Sequence, residues 1–480
     1  MDRTVPDRAA TRPIRTRRTV TAGLACAAIA VLITPTTAHA TSTPAQIATS
    51  RTNGVAYLKT LQAADGSFAS SGLSNEWAFS AFAAAGTAAV DIAPGDDVTK
   101  NARTVYRNQL SAPSWPGASP VVTDYERAAL NAYAAGIDPA RVSSGQNLIA
   151  KIASYWQPSA PGYYGPPANF NGTVFALLAL AGGKTQAGAP RVPQSLLNAS
   201  VTVVRANQHT DGGWNFSQAA GNPAQLAAPS DIDMTGATMA ALCASGVANT
   251  DSAVQAGKNF LKSKLINASG AFNSMFGANT NSNGWAVSGL NACGIPSQGI
   301  DFTTPAGRTP IDFLRAQQFT PGGGFRYLPS DTAPQPYASI DAVRAISGGG
   351  FTATPPVPVT AGAPQWVGTT TFTSGQTSTL ALVIDTGTGS PNVCSVSVTP
   401  TGSTTTLGAV LDAATTAATP TGCVTSRAPT SGTGTVTSIN GVTNSGASTW
   451  KLSVDAGAAA AATRGATISL GDTISLRYGS

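Results

Sequence analysis

The chain has 480 residues, of which 10% are charged and 42% apolar, and its formal net charge is +6. Only two histidines (His39, His209) and two glutamates (Glu76, Glu126) occur, which excludes a multi-histidine metal site and leaves few groups for acid–base chemistry. The length exceeds one ordinary domain, and no segment beyond the first forty residues has 18 uninterrupted apolar positions, so two domains and no membrane span are expected.

Residues 1–40 carry six arginines, an apolar run from Val20 to Ile33 and the small-residue site Ala38-His39-Ala40. This order of charged, apolar and small segments reads as a secretory signal peptide, with Thr16-Arg17-Arg18 similar to part of a twin-arginine signal. Its removal takes away four units of charge and leaves about +2, so composition supports neither a nucleic-acid partner nor an anionic membrane surface. His209 becomes the one histidine of an extracellular protein. Cys243, Cys293, Cys394 and Cys423 then form an even set without C-x-x-C spacing, which favours disulfides over a zinc site.

Residues 41–348 repeat. Six Ala-rich helical runs close on Gly86, Gly136, Gly182, Gly246, Gly294 and Gly348, at spacings of 50, 46, 64, 48 and 54. Glycine at each end suits a left-handed C-cap. Asn75, Asn171 and Asn283 lie eleven residues before their glycines and are expected N-caps. A second helix precedes most runs and ends in a glycine–aromatic turn: Asp65-Gly66-Ser67-Phe68, Asp211-Gly212-Gly213-Trp214, Gly322-Gly323-Gly324-Phe325 and, in degenerate form, Gly270-Ala271-Phe272. Six helical hairpins stacked neighbour on neighbour predict an all-α (α/α)6 barrel.

Residues 349–365 read as a Pro/Gly linker. Residues 366–480 change to Thr/Val/Ser alternation, with strand-like runs at 379–384, 393–398, 435–439, 450–454 and 474–478 and a short helix at 407–417. This predicts a small β-rich (α+β) C-terminal domain stapled by Cys394–Cys423. Cys243 and Cys293, three and one residues before consecutive closing glycines, are a second candidate pair.

The Gln-x-x-x-Gly-x-aromatic turns, Gln62 to Phe68 and Gln208 to Trp214, resemble the repeats of the squalene-cyclase/prenyltransferase superfamily over residues 50–348. Ile439-Asn440-Gly441, Trp450 and the stretch from Ser469 to Tyr478 resemble the small domain that follows the barrel in transcobalamin and intrinsic-factor proteins. Barrel, linker and small domain come in the order found in those cobalamin carriers. The resemblance implies a ligand held between the two domains, a corrinoid or a comparably large molecule, and no catalytic acid.

Pro229-Ser230-Asp231-Ile232-Asp233-Met234-Thr235 resembles the acidic motif of class II terpene cyclases, with Asp233 as the general acid and Asp231 its partner. Met234 stands where that motif has its last aspartate. The plainer reading is that Asp231 and Asp233 complement a helix N-terminus. Glu76 and Glu126 each lie ten residues before a closing glycine, a placement that suits a carboxylate pair at a barrel mouth, either the acid/base couple of a polysaccharide-active enzyme or a receptor for ligand amides, or else two helix-dipole partners. His209, in a turn, is a candidate cobalt ligand or base, although an exposed turn histidine is the commoner case. Tyr163, Tyr164 and Trp285 are the aromatics expected to line a ligand cavity. The leading reading is a secreted, non-catalytic small-molecule-binding protein. Its alternatives are a terpene cyclase using Asp233 and a glycan-active barrel using Glu76 and Glu126.

Overall fold

A computed structural model describes residues 41–68, 77–95 and 97–480, so the signal segment, Asn75 and Glu76 lie outside the described residues. In chain order the helices are α1 (Pro44–Lys59), α2 (Ala78–Ala84), α3 (Ala102–Ser111), α4 (Val122–Ala135), α5 (Leu148–Ala153), α6 (Phe170–Gly182), α7 (Gln194–Ala206), α8 (Pro223–Leu226), α9 (Ile232–Ala244), α10 (Ser252–Ser263), α11 (Thr280–Ala292), α12 (Pro310–Ala316) and α13 (Pro336–Ile346), followed by α14 (Leu407–Ala414). Six of them form a closed ring: α2 packs on α4, α4 on α6, α6 on α9, α9 on α11, α11 on α13, and α13 returns to α2. The helices α1, α3, α5, α7, α10 and α12 pack outside it, while α8 is a single turn between α7 and α9.

Burial explains the sorting. From Ile232 to Leu242 only Asp233 is not fully buried, and α6 and α11 are similarly enclosed. Helices enclosed on nearly every side sit between neighbours rather than on a surface, and their buried polar residues are small ones such as Thr235, Thr238, Ser282 and Ser288. Alanine and glycine make the contacts close. A Cβ on Gly289 has no room against the Gly236 carbonyl, so α9 and α11 approach backbone to backbone. The predicted Cys243–Cys293 disulfide ties the C-terminal ends of these two helices, with Cα atoms 5.3 Å apart.

The repeat motif has a mechanical role. Gln62, Gln208 and Gln318 each donate through Nε2 to the carbonyl of a turn glycine (Gly66, Gly212, Gly323) and also to a carbonyl of the neighbouring repeat: Ile92, Ala253 and Ser50 respectively. The turn aromatic is fixed in turn by the fourth residue of the next ring helix. Thr173 accepts from the Tyr164 N–H, Thr235 from Trp214, Asn283 from Phe272 and Ser339 from Phe325, at 2.7–3.1 Å. Asn171 and Asn283 are therefore not N-caps. The helices begin earlier, with Asn169 and Asn279 at the caps, and Asn283 serves the turn instead. Five of the six closing glycines have φ between +65° and +89°, as a left-handed C-cap requires. Gly182 stays helical, and its missing side chain makes room for Thr352.

The C-terminal region holds a six-stranded sheet in the order 460–461, Thr449–Val454, Thr473–Gly479, Ser378–Asp385, Asn392–Val398, 418–419, with 473–479 and 378–385 running parallel. Alternation along Ser378–Asp385 splits its side chains between two cores. Leu380, Leu382 and Ile384 pack with Leu407, Val410 and Leu411 of α14, whereas Ala381 and Val383 join the helical core against α5. Cys394–Cys423 closes this region, and Trp450 and Ile439 lie fully buried in its core.

The segment read as a linker is fixed at many points. The Asp91 carboxylate accepts from the N–H groups of Val359 and Thr360, Arg103 donates to the Pro364 carbonyl at 2.6 Å, and Val367 bridges to Ile137. The junction beyond it is ionic and buried. The fully enclosed Arg191 binds Asp138 at 2.9 Å and Asp455 at 3.2 Å, and Arg141 binds Asp472 at 3.0 Å.

Candidate functional site

The two ends of the ring differ in chemistry. At the N-terminal end, α9 begins at Asp231, whose side chain accepts from the Met234 N–H at 2.8 Å and whose own N–H donates to the Trp214 carbonyl. Asp233 follows in the first turn. It is half-buried, its Oδ1 is fully enclosed without a hydrogen-bond partner, and Ser282 of α11 lies beside it. Burial first, and the charge of Asp231 second, push the Asp233 carboxyl up to about 7, against the pull of the Ser282 hydroxyl. Asp341 of α13 is near; burial raises it too, while its pair with Arg344 (2.5 Å) and a contact with Asn281 hold it down. A carboxyl that keeps its proton near neutrality can act as an acid.

What that acid faces is decided by the bore of the ring. Trp77 at the start of α2, Phe175 of α6 and Trp285 of α11 come from alternate members of the ring, so rings that touch one another must meet near its axis. Phe351 joins them, 5.1 Å from Trp285 and 6.2 Å from both Phe175 and Trp77, and Arg344 lies 4.6 Å over its face. Phe351 is fully buried. It is delivered by Gly348-Gly349-Gly350: a Cβ on Gly349 would strike Ala84 of α2, and one on Gly350 would strike Ala292 of α11. Aromatic side chains thus converge in the bore, where Trp77 and Trp285 stay half-buried, and the segment after α13 packs against its C-terminal end.

Beside that segment lies a cleft of about 380 Å³ at the C-terminal ends of α4, α6 and α9. Tyr133, Lys184, Gln186, Ala244, Thr354 and Trp366 are among its walls. Tyr133 meets Trp366 edge-on at 5.9 Å, and its hydroxyl is enclosed beside Arg191. Lys184 is exposed.

The other residues singled out from the sequence lie elsewhere. Glu126 is fully buried, with both carboxylate oxygens enclosed and unpartnered, and burial pushes its pKa well up. Its expected partner, Glu76, lies outside the described residues. His209 is buried rather than exposed. Its Nδ1 donates to the Ala228 carbonyl at 2.7 Å and its Nε2 is enclosed, out of reach of a large ligand. Tyr163 is a packing residue whose hydroxyl accepts from Asn207 and Gln218. Tyr164 packs against Trp156 at 5.4 Å. Trp285 faces the bore. Sequence reasoning missed Phe351, Arg191 and the Tyr133–Trp366 cleft. The Gly-Gly-Gly-Phe run was the one available signal of a close approach.

No family model matches the chain, and no curated protein matches it. Similar solved structures include the type II terpene cyclase MstE from Scytonema (13% identity, TM-score 0.42, 64% of this chain and 98% of that one). A haptocorrin in complex with Cbi covers 90% of this chain and 97% of its own, at 10% identity and TM-score 0.36. Protein geranylgeranyltransferase-I from Candida albicans complexed with GGPP covers 64% and 86%, at 13% identity and TM-score 0.37. These are the kinds of protein that the sequence motifs resemble. Identities and scores this low transfer no activity to this chain.

Proposed function

We propose that the protein is an exported small-molecule-binding protein. Residues 41–348 are an (α/α)6 barrel, residues 366–480 a small C-terminal domain, and residues 349–365 a strap between them. The ligand sits in the cleft walled by Tyr133, Lys184 and Trp366. The observation that carries this reading is the open cleft of about 380 Å³ between the C-terminal ends of the ring helices and Trp366. Two disulfides suit an exported protein.

A cleft of this size is at the small end for ligand sites and fits a compact molecule. A corrinoid requires the Tyr133–Trp366 contact and the Arg191 network to open. Cobinamide titration of the mature protein tests this directly. A saturable change in the corrin spectrum assigns the ligand to that class, and none at high micromolar concentration confines the cleft to smaller ligands. Loss of all small-molecule binding in Trp366→Leu is the expected result for the site itself.

One observation favours a second reading. The proton held by Asp233 suits acid catalysis on an apolar substrate, and Asp233→Asn abolishing product formation from a polyprenoid would establish it.

A further inference from the structure

We propose that the cleft at the C-terminal end of the ring takes a compact planar anion, an aromatic carboxylate. This rests on the reading of that cleft as the ligand site.

The charge pattern comes first. Lys184 is exposed, and among the described residues its ammonium has no carboxylate partner and no hydrogen bond. No aspartate or glutamate lines the cleft. The nearby carboxylates are engaged, Asp138 and Asp455 by Arg191, and Asp472 by Arg141. Helix ends oppose an anion here. α4, α6 and α9 all finish at this cleft, each presenting about half a negative charge that fades within a turn. The full charge of Lys184 outweighs the end of α6 at the rim, but nothing comparable faces α9. The carboxylate therefore belongs at the rim beside Lys184, and the uncharged ring points inward.

The interior suits that ring. Tyr133 and Trp366 meet edge-on and leave Trp366 half-buried, so part of the indole is available to a planar ligand. Tyr133 contributes its ring rather than its hydroxyl, which is enclosed beside Arg191. Ala181 and Ala244 supply apolar wall, and Thr185, Gln186 and Thr354 supply polar rim. A volume of about 380 Å³ admits one or two fused rings.

The test uses three probes of one shape: indole-3-acetate, neutral indole-3-acetamide and cationic tryptamine, titrated into the mature full-length protein by calorimetry. The acetate is expected to bind at least tenfold more tightly than the amide, with tryptamine weakest. Lys184→Met is expected to bring acetate and amide to equal affinity, and Lys184 is exposed, so folding should be untouched. If the amide or tryptamine binds the native protein as tightly as the acetate, the anion assignment is overturned and the cleft stands. If no probe binds the native protein, or if the acetate binds Trp366→Leu as tightly as the native protein, the cleft is not the ligand site and both readings fall.

Discussion

The two ends of the helical ring show how differently structure and chemistry are written into one fold. The N-terminal end gathers carboxylates: Asp231 at a cap, Asp233 in the first turn of α9, and Asp341 of α13 nearby. Helix starts attract such residues whether or not they do chemistry. The C-terminal end has no carboxylate in its cleft, and it is the end where the chain builds most, with a strap, a cleft and a buried ionic junction. A motif search is drawn to the first end. The cleft walled by Tyr133, Lys184 and Trp366 is at the second.

The largest effect that would break this contrast is at Phe351. Phe351→Ala is expected to cost about 3–5 kcal/mol, the usual range for emptying a buried phenyl site. The vacated bore, lined by Trp77, Phe175 and Trp285, should take up benzene and recover part of the lost melting temperature. A loss below about 1 kcal/mol with no benzene effect would mean that the bore is not closed by Phe351.

Arg191→Met tests the junction. Removing one partner from a buried ion pair costs about 3–5 kcal/mol, because Asp138 is left enclosed and uncompensated. Denaturant unfolding should then separate into two transitions, with the C-terminal region lost first. A single unshifted transition would show that apolar packing of Ala381 and Val383 on α5 holds the junction alone.

Much of this fold is legible in residues whose job is local. The closing glycines mark helix ends because a positive φ is needed there, and the Gln-to-aromatic spacing marks turns because one amide must reach both a turn carbonyl and the next repeat. The strands at 379–384 and 450–454 show in their alternation, and Cys394 and Cys423 do pair. The site was less legible because its parts are distant in sequence and ordinary in type. Tyr133 ends one repeat, Lys184 follows another, and Trp366 begins the C-terminal region. Arg191 looks like a surface charge until its partners at 138 and 455 close around it. Glu126 misled in the opposite way: its spacing matched a helix start, but its position faces inward.

The N-terminal end is tested by pH. Asp233 holds its proton up to about 7 in the folded chain, while an unfolded aspartate loses it near 4. Between those values the folded state binds more protons, so stability falls as pH rises, by at most about 1.4 kcal/mol per pH unit for this group, and levels off above 7. Asp233→Asn, an uncharged mimic of the protonated acid, should flatten part of the profile of melting temperature against pH from 4 to 7. The buried Glu126 slopes the same way, and Glu126→Gln should remove its share. Identical profiles for the native protein and Asp233→Asn would place the Asp233 titration in the ordinary carboxylate range and end the case for an acid there.

The smallest effect separates the two roles of Asp231. As a cap it binds the Met234 N–H, and Asp231→Ala should cost about 1 kcal/mol, while Asp231→Ser, which keeps an acceptor, should cost little. As a charge it raises Asp233, and both variants remove that charge. The Asp233 titration should therefore move down in both, even where Ser restores stability. Stability restored with the titration unmoved would assign the raised proton affinity of Asp233 to burial alone. The Asp-Ile-Asp sequence would then be a well-capped helix start rather than a coupled acid pair, and the carboxylates at this end would owe their positions to the helix dipole.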